Sequence, residues 1–434
     1  MFKGNYINIF LIIVFIITGG TMTFGFSWSN FSIPTPLFKI TDSLLIILYL
    51  LFVSFFVKRS KIKYTKTPIK YYYFFILLFF FELIKNIVLF EGSISKIIIG
   101  GKYFYVIFFI FPLIKLIKTK NEVKWFTNAL IILGILNGLV YYFQFITGIE
   151  LPASNGGYYN GVFRVNLPGF NMIIIAFFLV FSRFIVGDKI ITRGLTYIIL
   201  LFFISIFVVT LSRGLILGII ISTIIVIRLS GLLKKTTSIF YFFFLGLGLF
   251  IIGLFLVLQF NFQFNSLTSR LDKGYEDITQ QTGTYKVRSD MMAIKMEYIL
   301  LNHPFFGVGF LYHLPDENEN KFTYYHNPIA LNTDATYHNI VIVMGYIGLF
   351  LWLGILFQIF KTGKRLAIFY KENELKSIAL SMTGLSFFIF IHGFSSNYFN
   401  STGLTFLTII LGYTFWLYKF ALKQINENRN SRTN

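Results

Sequence analysis

Long unbroken apolar runs, separated by short polar breaks, set the pattern of this chain. The runs do not alternate apolar and polar positions, which strands of a membrane barrel would require. They stay continuous over about 20 residues, the length a helix needs to cross a bilayer's hydrocarbon. The pattern predicts spans at 6–26, 37–57, 71–90, 97–117, 125–147, 169–186, 195–211, 214–230, 238–259, 338–360, 378–398 and 401–418. The predicted fold is an all-α polytopic integral membrane protein of about 12 transmembrane helices. The first span lacks a small-residue cleavage site and reads as a retained anchor.

One connection departs from the short breaks. Residues 260–337 lie between the ninth and tenth spans, and loops of this length without a task are uncommon. The chain therefore divides into spans one to nine (1–259), an extracytoplasmic loop containing short helices (260–337), spans ten to twelve (338–418) and a frayed cytoplasmic tail (419–434). Within the loop, Val287, Met291, Ile294, Tyr298 and Leu301 recur at steps of three and four, predicting a helix over 285–301 that stops at His303-Pro304. The following Phe305-Phe306-Gly307-Val308-Gly309 predicts a tight turn packed against the bilayer surface.

Composition narrows the class. Hydrophobic residues make up 56% and charged residues 13%, against roughly 25% charged in soluble domains. An ordinary soluble enzyme and a disordered chain are both excluded. There is no cysteine, hence no disulfide and no thiol nucleophile. The net charge of +20 would suggest nucleic acid in a soluble protein. Here most of the 38 basic residues fall on alternate connections: Lys58 to Lys70, Lys115 to Lys124, Arg183 to Arg193, Arg228 to Lys235, Lys361 to Lys376, and the tail from Lys419. The other connections hold few, among them Lys39, Lys96 and Arg164. The positive-inside rule then puts both termini in the cytoplasm and accounts for the charge without nucleic acid.

The candidate chemistry gathers on the opposite, outer face. His303, His313, His326 and His338 all lie in the long loop or at its end. Histidine is the side chain best poised for proton transfer near neutral pH. A polar loop in an apolar chain also collects such residues without function, and their spacing matches no local metal-ligand pattern. His338 is distinguished by its place where the tenth span meets water. Arg288 and Lys295 lie seven apart on the loop helix and project from one side, as either a solvated basic face or a cradle for a diphosphate. Arg213, between two spans with almost no loop, sits where a cation is costly and either snorkels or faces a membrane-borne anion. Arg164 is a candidate of the same kind. Glu82 and Lys85, three apart inside the third span, predict a mutually neutralising pair on a buried face.

In order, Ser212-Arg213-Gly214, Arg288, the run Asn302-His303-Pro304-Phe305-Phe306-Gly307-Val308-Gly309, and His338-Asn339 with Gly345 and Gly348 behind it resemble the O-antigen ligase and polymerase superfamily of bacterial envelope polysaccharide enzymes. The resemblance covers roughly residues 160–360. It departs near Arg164, which stands in Arg-Val-Asn-Leu-Pro-Gly-Phe-Asn where the family often has Arg-Gly and Asn-Pro-Asn, and it lacks the tryptophan often found after the loop arginine.

The resemblance implies an inverting, metal-independent glycosyl transfer at the outer face of the bacterial inner (plasma) membrane, from a glycan carried on undecaprenyl diphosphate. It implies that Arg213 and Arg288 hold the diphosphate, with Arg164 as a further substrate-binding candidate, and that His338 activates the acceptor hydroxyl; Lys295 joins the substrate-binding candidates by its spacing from Arg288 on the loop helix. No cofactor is expected, because the lipid carrier already supplies an activated donor. The expected reaction is polymerisation of lipopolysaccharide O-antigen or a related envelope polysaccharide onto another lipid-linked repeat unit. The alternative is ligation of the finished glycan to lipid A core. The expected partners are the lipid-linked oligosaccharide, the bilayer and a chain-length regulator. A polysaccharide or lipid transporter is the reading from another class. It would show two related halves with polar sites near mid-bilayer, and neither is visible in this sequence.

Overall fold

A computed structural model of the chain describes residues 70–89, 107, 110, 113–114, 117–149, 157–159, 162–165, 169–187, 193–210, 212–231, 283–311 and 335–433. The expected spans at 6–26, 37–57 and 238–259, most of the span at 97–117, and His313 and His326 lie outside the described residues.

The described helices are α1 (Lys70–Leu89), α2 (Lys120–Thr147), α3 (Phe170–Val186), α4 (Arg193–Val209), α5 (Arg213–Ser230), α6 (Gly283–Asn302), α7 (Thr336–Phe369), α8 (Asn373–His392) and α9 (Ser401–Thr433). Among them α1, α2, α7, α8 and α9 are long and apolar enough to cross a membrane, while α3, α4 and α5 are shorter apolar helices. Eight of the expected spans thus have a helix, and α6 coincides with the helix expected over 285–301.

Three boundaries differ from the expectation. The chain is not purely helical, because strands β1 (Gly157–Tyr159) and β2 (Val162–Arg164) pair antiparallel between α2 and α3. Strands of three residues carry too little pattern to be read in a polar segment. The tail after Lys419 is not frayed, for α9 continues to Thr433 and pairs Lys423 with Glu427 at i,i+4 spacing. Likewise α7 continues to Phe369, carrying Lys361, Lys364 and Arg365 on helix where a basic loop was expected.

Local signals fix the ends. Thr119 caps α2 through a reciprocal bond pair with Glu122, satisfying two amides that a helix start leaves unpaired. Helix α8 sits innermost and packs against α7, α5, α3 and α9. Its small and hydroxylated residues allow this. The Ser381 hydroxyl donates to the Phe178 carbonyl of α3 at 2.9 Å, and Gly384 faces the Phe178 ring where a Cβ would crowd it. Such residues let backbones approach where hydrophobicity gives no drive for helices to associate.

The two ends of the bundle differ in character. At one end Lys120 pairs with Glu372 at 2.7 Å, and Arg183 donates to Asn128 at 3.0 Å. Arg183 was expected in a loop but is buried in the last turn of α3. The ends of α2, α3, α7 and α8 that carry the basic residues meet here. The starts of α5 and α7 and the finish of α8 meet at the opposite end.

Candidate functional site

The opposite end is built around the first turn of α7. Thr336 anchors it: its amide donates to the carbonyls of Gly393 and Ser396 at 2.9 and 3.1 Å, and its hydroxyl donates to the Ser396 carbonyl at 2.6 Å. The Tyr398 amide donates back to the Thr336 hydroxyl at 2.8 Å. The α8–α9 connection therefore grips the residue two places before His338. His392, the one histidine outside the loop region, is itself buried and bonded through Nδ1 to the Tyr398 hydroxyl at 2.7 Å. That hydrogen bond holds the connection, so His392 has a structural place.

The same connection reaches α5. A Cβ on Gly214 would collide with the Ser395 hydroxyl and lie 3.5 Å from His392 Cδ2. The backbone of Arg213 thus begins its helix against the segment that holds Thr336. Glycine after the arginine is required by this approach, which explains the Arg-Gly pair.

The loop motif and the histidine motif lock together at a break in α7. Gly345 interrupts the helix with φ 61° and ψ −165°. This leaves Tyr346 and Ile347 without their usual helical acceptors. Their amides instead donate to the carbonyls of Pro304 and Phe305, at 2.9 and 3.2 Å. In return the Val308 amide donates to the freed Ile342 carbonyl at 2.8 Å. Gly307, with φ 63°, completes the contact: a Cβ there would stand 2.5 Å from the Ile342 oxygen and 2.7 Å from the Gly345 nitrogen. A Cβ on Gly345 would in turn overlap the Phe305 carbonyl. Two backbones touch with no side chain between them, so both glycines are needed.

Helix α1 clamps the turn from the other side. Lys85 Nζ donates to the carbonyls of Phe306 and Gly307 at 3.3 and 3.2 Å, and pairs with the buried Glu82 at 2.5 Å. The pairing of Glu82 with Lys85 agrees with the sequence expectation. Asn86 donates to the Val308 carbonyl at 3.1 Å and accepts from the Phe310 amide at 2.5 Å. The glycine turn therefore packs between α1 and α7, and not simply on the bilayer surface as expected.

Helix α6 runs alongside α7 in the same direction, since Pro304 meets Tyr346 and Lys295 lies near enough to His338 for its charge to bear on the imidazole. Lys295 is fully buried, and burial pushes its ammonium down to about 8. A solvated basic face is thereby excluded at this position. The buried stripe of α6 is Met291, Lys295 and Ile299, while Ile294 and Leu301 of the expected stripe are exposed. The His338 ring is half-buried, and its Nδ1 has no hydrogen-bond partner among the described residues.

The expected site residues thus divide. His338 and Lys295 come together. Arg213 begins α5 against the segment that holds the His338 helix. Arg288 lies on α6, seven residues and about 10 Å outward of Lys295 at helical rise. Arg164 lies in β2 opposite Gly157, in the connection that joins α2 to α3 at this same end. The side chains of these three arginines fall outside the described residues.

Residues 198–353 match the family model described as O-antigen ligase. The matched segment runs from α4 through α5 and α6 into α7, and so contains Arg213, Arg288, Lys295, the glycine turn, His338 and the Gly345 break. Over this segment the match supports the resemblance to the O-antigen ligase/polymerase superfamily. Members of this family are membrane glycosyltransferase-like enzymes. No curated protein matches the chain.

The superfamily match excludes Glu82, Lys85 and Asn86, which hold the turn from outside the domain. Asn86 was not singled out in the sequence, although an amide inside an apolar span is a signal of its own.

Proposed function

We propose that this protein is an envelope-polysaccharide polymerase. It transfers a growing glycan from undecaprenyl diphosphate to a sugar hydroxyl of the next lipid-linked repeat unit, at the outer face of the bacterial inner membrane. The observation that carries this reading is the meeting, at the end of the bundle away from the basic loops, of the His338 turn with the start of the Arg213 helix.

In the proposed step, His338 takes the proton from the acceptor hydroxyl as that oxygen attacks the anomeric carbon of the donor. The bond from that carbon to the diphosphate oxygen breaks with inversion, and the electron pair leaves on the lipid diphosphate. Arg213 and Arg288 stabilise that charge, so the leaving group needs no proton. Arginine forks suit phosphate oxygens, and charge stabilisation of this kind is usually the largest catalytic contribution. Lys295 is buried on α6, which packs against the helix that carries His338 in its first turn. Arg164 is retained as a further donor-binding candidate on its location alone. A chain-length regulator remains a proposed partner, and both termini are proposed to be cytoplasmic.

Incubation of the purified protein with a lipid-linked repeat unit as its only substrate tests this. A ladder of longer lipid-linked glycans is expected. Transfer only when lipid A core is added would make the protein a ligase instead, and no glycan transfer in either mixture would refute both readings.

A further inference from the structure

The turn that locks onto α7 also has an outward side, and that side is apolar. Leu301 is 76% exposed and Phe305 64%, with Leu300 and Phe306 exposed beside them. This surface continues onto α1, whose Phe81, Ile84 and Val88 face outward, and the Phe81 and Phe306 rings lie 4.9 Å apart. Helix α1 is itself long and apolar enough to cross a membrane.

Depth follows from the register of α6 on α7. Gly345, where the turn is fastened, lies nine residues past the start of α7. At helical rise that is ~13 Å below the first residue of α7, so the turn stays within the roughly 15 Å of one leaflet's hydrocarbon even with the water boundary several residues inward of Thr336. The polar residues on the exposed side of α6 stop in time. Ser289, Asp290 and Glu297 are exposed, and beyond Glu297 the exposed side chains through Phe306 are Leu300, Leu301, Asn302, Phe305 and Phe306. The Asn302 amide is turned back onto the Tyr298 carbonyl of its own helix at 2.9 Å.

The backbone of the turn is also provided for. Non-helical backbone at membrane depth is tolerated only where its polar groups find partners inside the protein. The carbonyls of residues 303 to 308 are each taken: His303 by the Gly307 amide, Pro304 and Phe305 by α7, Phe306 and Gly307 by Lys85, and Val308 by Asn86. In water such complete provision would not be required.

We infer that Leu300–Phe306 forms a re-entrant element that dips into the hydrocarbon of the leaflet on the His338 side, with lipid acyl chains as its partner. The water boundary crosses α6 between Glu297 and Leu300. This goes beyond the transfer reaction and does not depend on it.

The cysteine-free chain makes the test direct. Single variants Asp290→Cys, Leu301→Cys and Phe305→Cys of the full protein are reconstituted in liposomes and treated with a membrane-impermeant maleimide. Position 290 should react, and positions 301 and 305 should react at less than about one-tenth of its rate until the membrane is dissolved in denaturing detergent. Nitroxide labels at 301 and 305 should then be accessible to oxygen and shielded from a water-soluble nickel chelate. Maleimide rates equal to that at 290, or high access to the chelate, would overturn the inference in favour of a water-exposed loop. Low access to both oxygen and chelate would overturn it in favour of burial in protein.

Discussion

Replacing Gly345 with alanine tests the interlock of the two motifs. With φ 61° and ψ −165° the residue occupies backbone space open essentially to glycine alone, where a side chain costs about 1–3 kcal/mol. The added Cβ would also overlap the Phe305 carbonyl, which is backbone and cannot swing aside. If α7 straightens to relieve this, Tyr346 and Ile347 regain helical acceptors, but the Val308 amide and the Pro304 and Phe305 carbonyls lose their partners. Each buried group left unpaired costs about 1–3 kcal/mol. Straightening therefore costs about 3–9 kcal/mol for the three groups, and keeping the break costs the backbone strain plus the overlap with the Phe305 carbonyl. At roughly 2.1 cal/mol/K of unfolding entropy per residue, a chain of this length loses on the order of 1 °C in Tm per kcal/mol, or about 3–9 °C if α7 straightens. Thermal melting in detergent, followed by tryptophan fluorescence, reads this directly. Gly412→Ala is the control, since its Cβ would meet Leu113 no closer than 3.6 Å. A Gly345→Ala variant that melts within 1 °C of wild type while Gly412→Ala does the same would refute the interlock.

Asn86→Ala should destabilise by about 2–6 kcal/mol, because both the Val308 carbonyl and the Phe310 amide lose a buried partner; Asn86→Asp, which keeps only the acceptor, should fall between it and wild type in the same melt. Lys295→Met should raise Tm at pH 7 while lowering transfer. Because burial holds the folded-state ammonium at about 8, the penalty for protonating it is full below that pH and fades as the pH rises toward the free-lysine value; the Tm gap between variant and wild type should therefore shrink from pH 8 to 10, and a gap that widens would contradict the assignment. Arg213→Lys and Arg288→Lys should each lower kcat/KM for the lipid-linked donor by roughly 10- to 100-fold, the worth of one charge-assisted hydrogen bond of about 1.5–3 kcal/mol; values within twofold of wild type would remove that residue from the diphosphate site.

Much of this was legible in the sequence, and for physical reasons. Apolar runs long enough to span hydrocarbon have few alternatives, so α1 to α5 and α7 to α9 fall where the runs fall. Proline after His303 ends α6 because it restricts the residue before it. The neutralising pair of Glu82 and Lys85 follows from their three-residue spacing. What was not legible depends on partners far along the chain. Gly345 stands out in the sequence only as a glycine of the His338 motif, and the Phe305 carbonyl pressed against it shows why the helix breaks there. The face of α6 was misjudged at Ile294 and Leu301 because periodicity favours apolar residues inside, whereas this helix buries Lys295 and turns leucines outward. The service of Asn86 to a turn more than 200 residues away leaves no local trace beyond an amide in an apolar run. In the site, the nearness of Lys295 to His338 required the register of α6 on α7, which no spacing within either segment encodes.

The most direct test of the account compares transfer by wild type and His338→Ala on a lipid-linked repeat unit, with both proteins shown to melt at the same temperature. General-base catalysis is worth about 10²- to 10⁴-fold, so the variant should lose at least 100-fold in rate while still binding the donor. A folded His338→Ala protein that transfers within tenfold of the wild-type rate would contradict the claim that this imidazole takes the acceptor's proton.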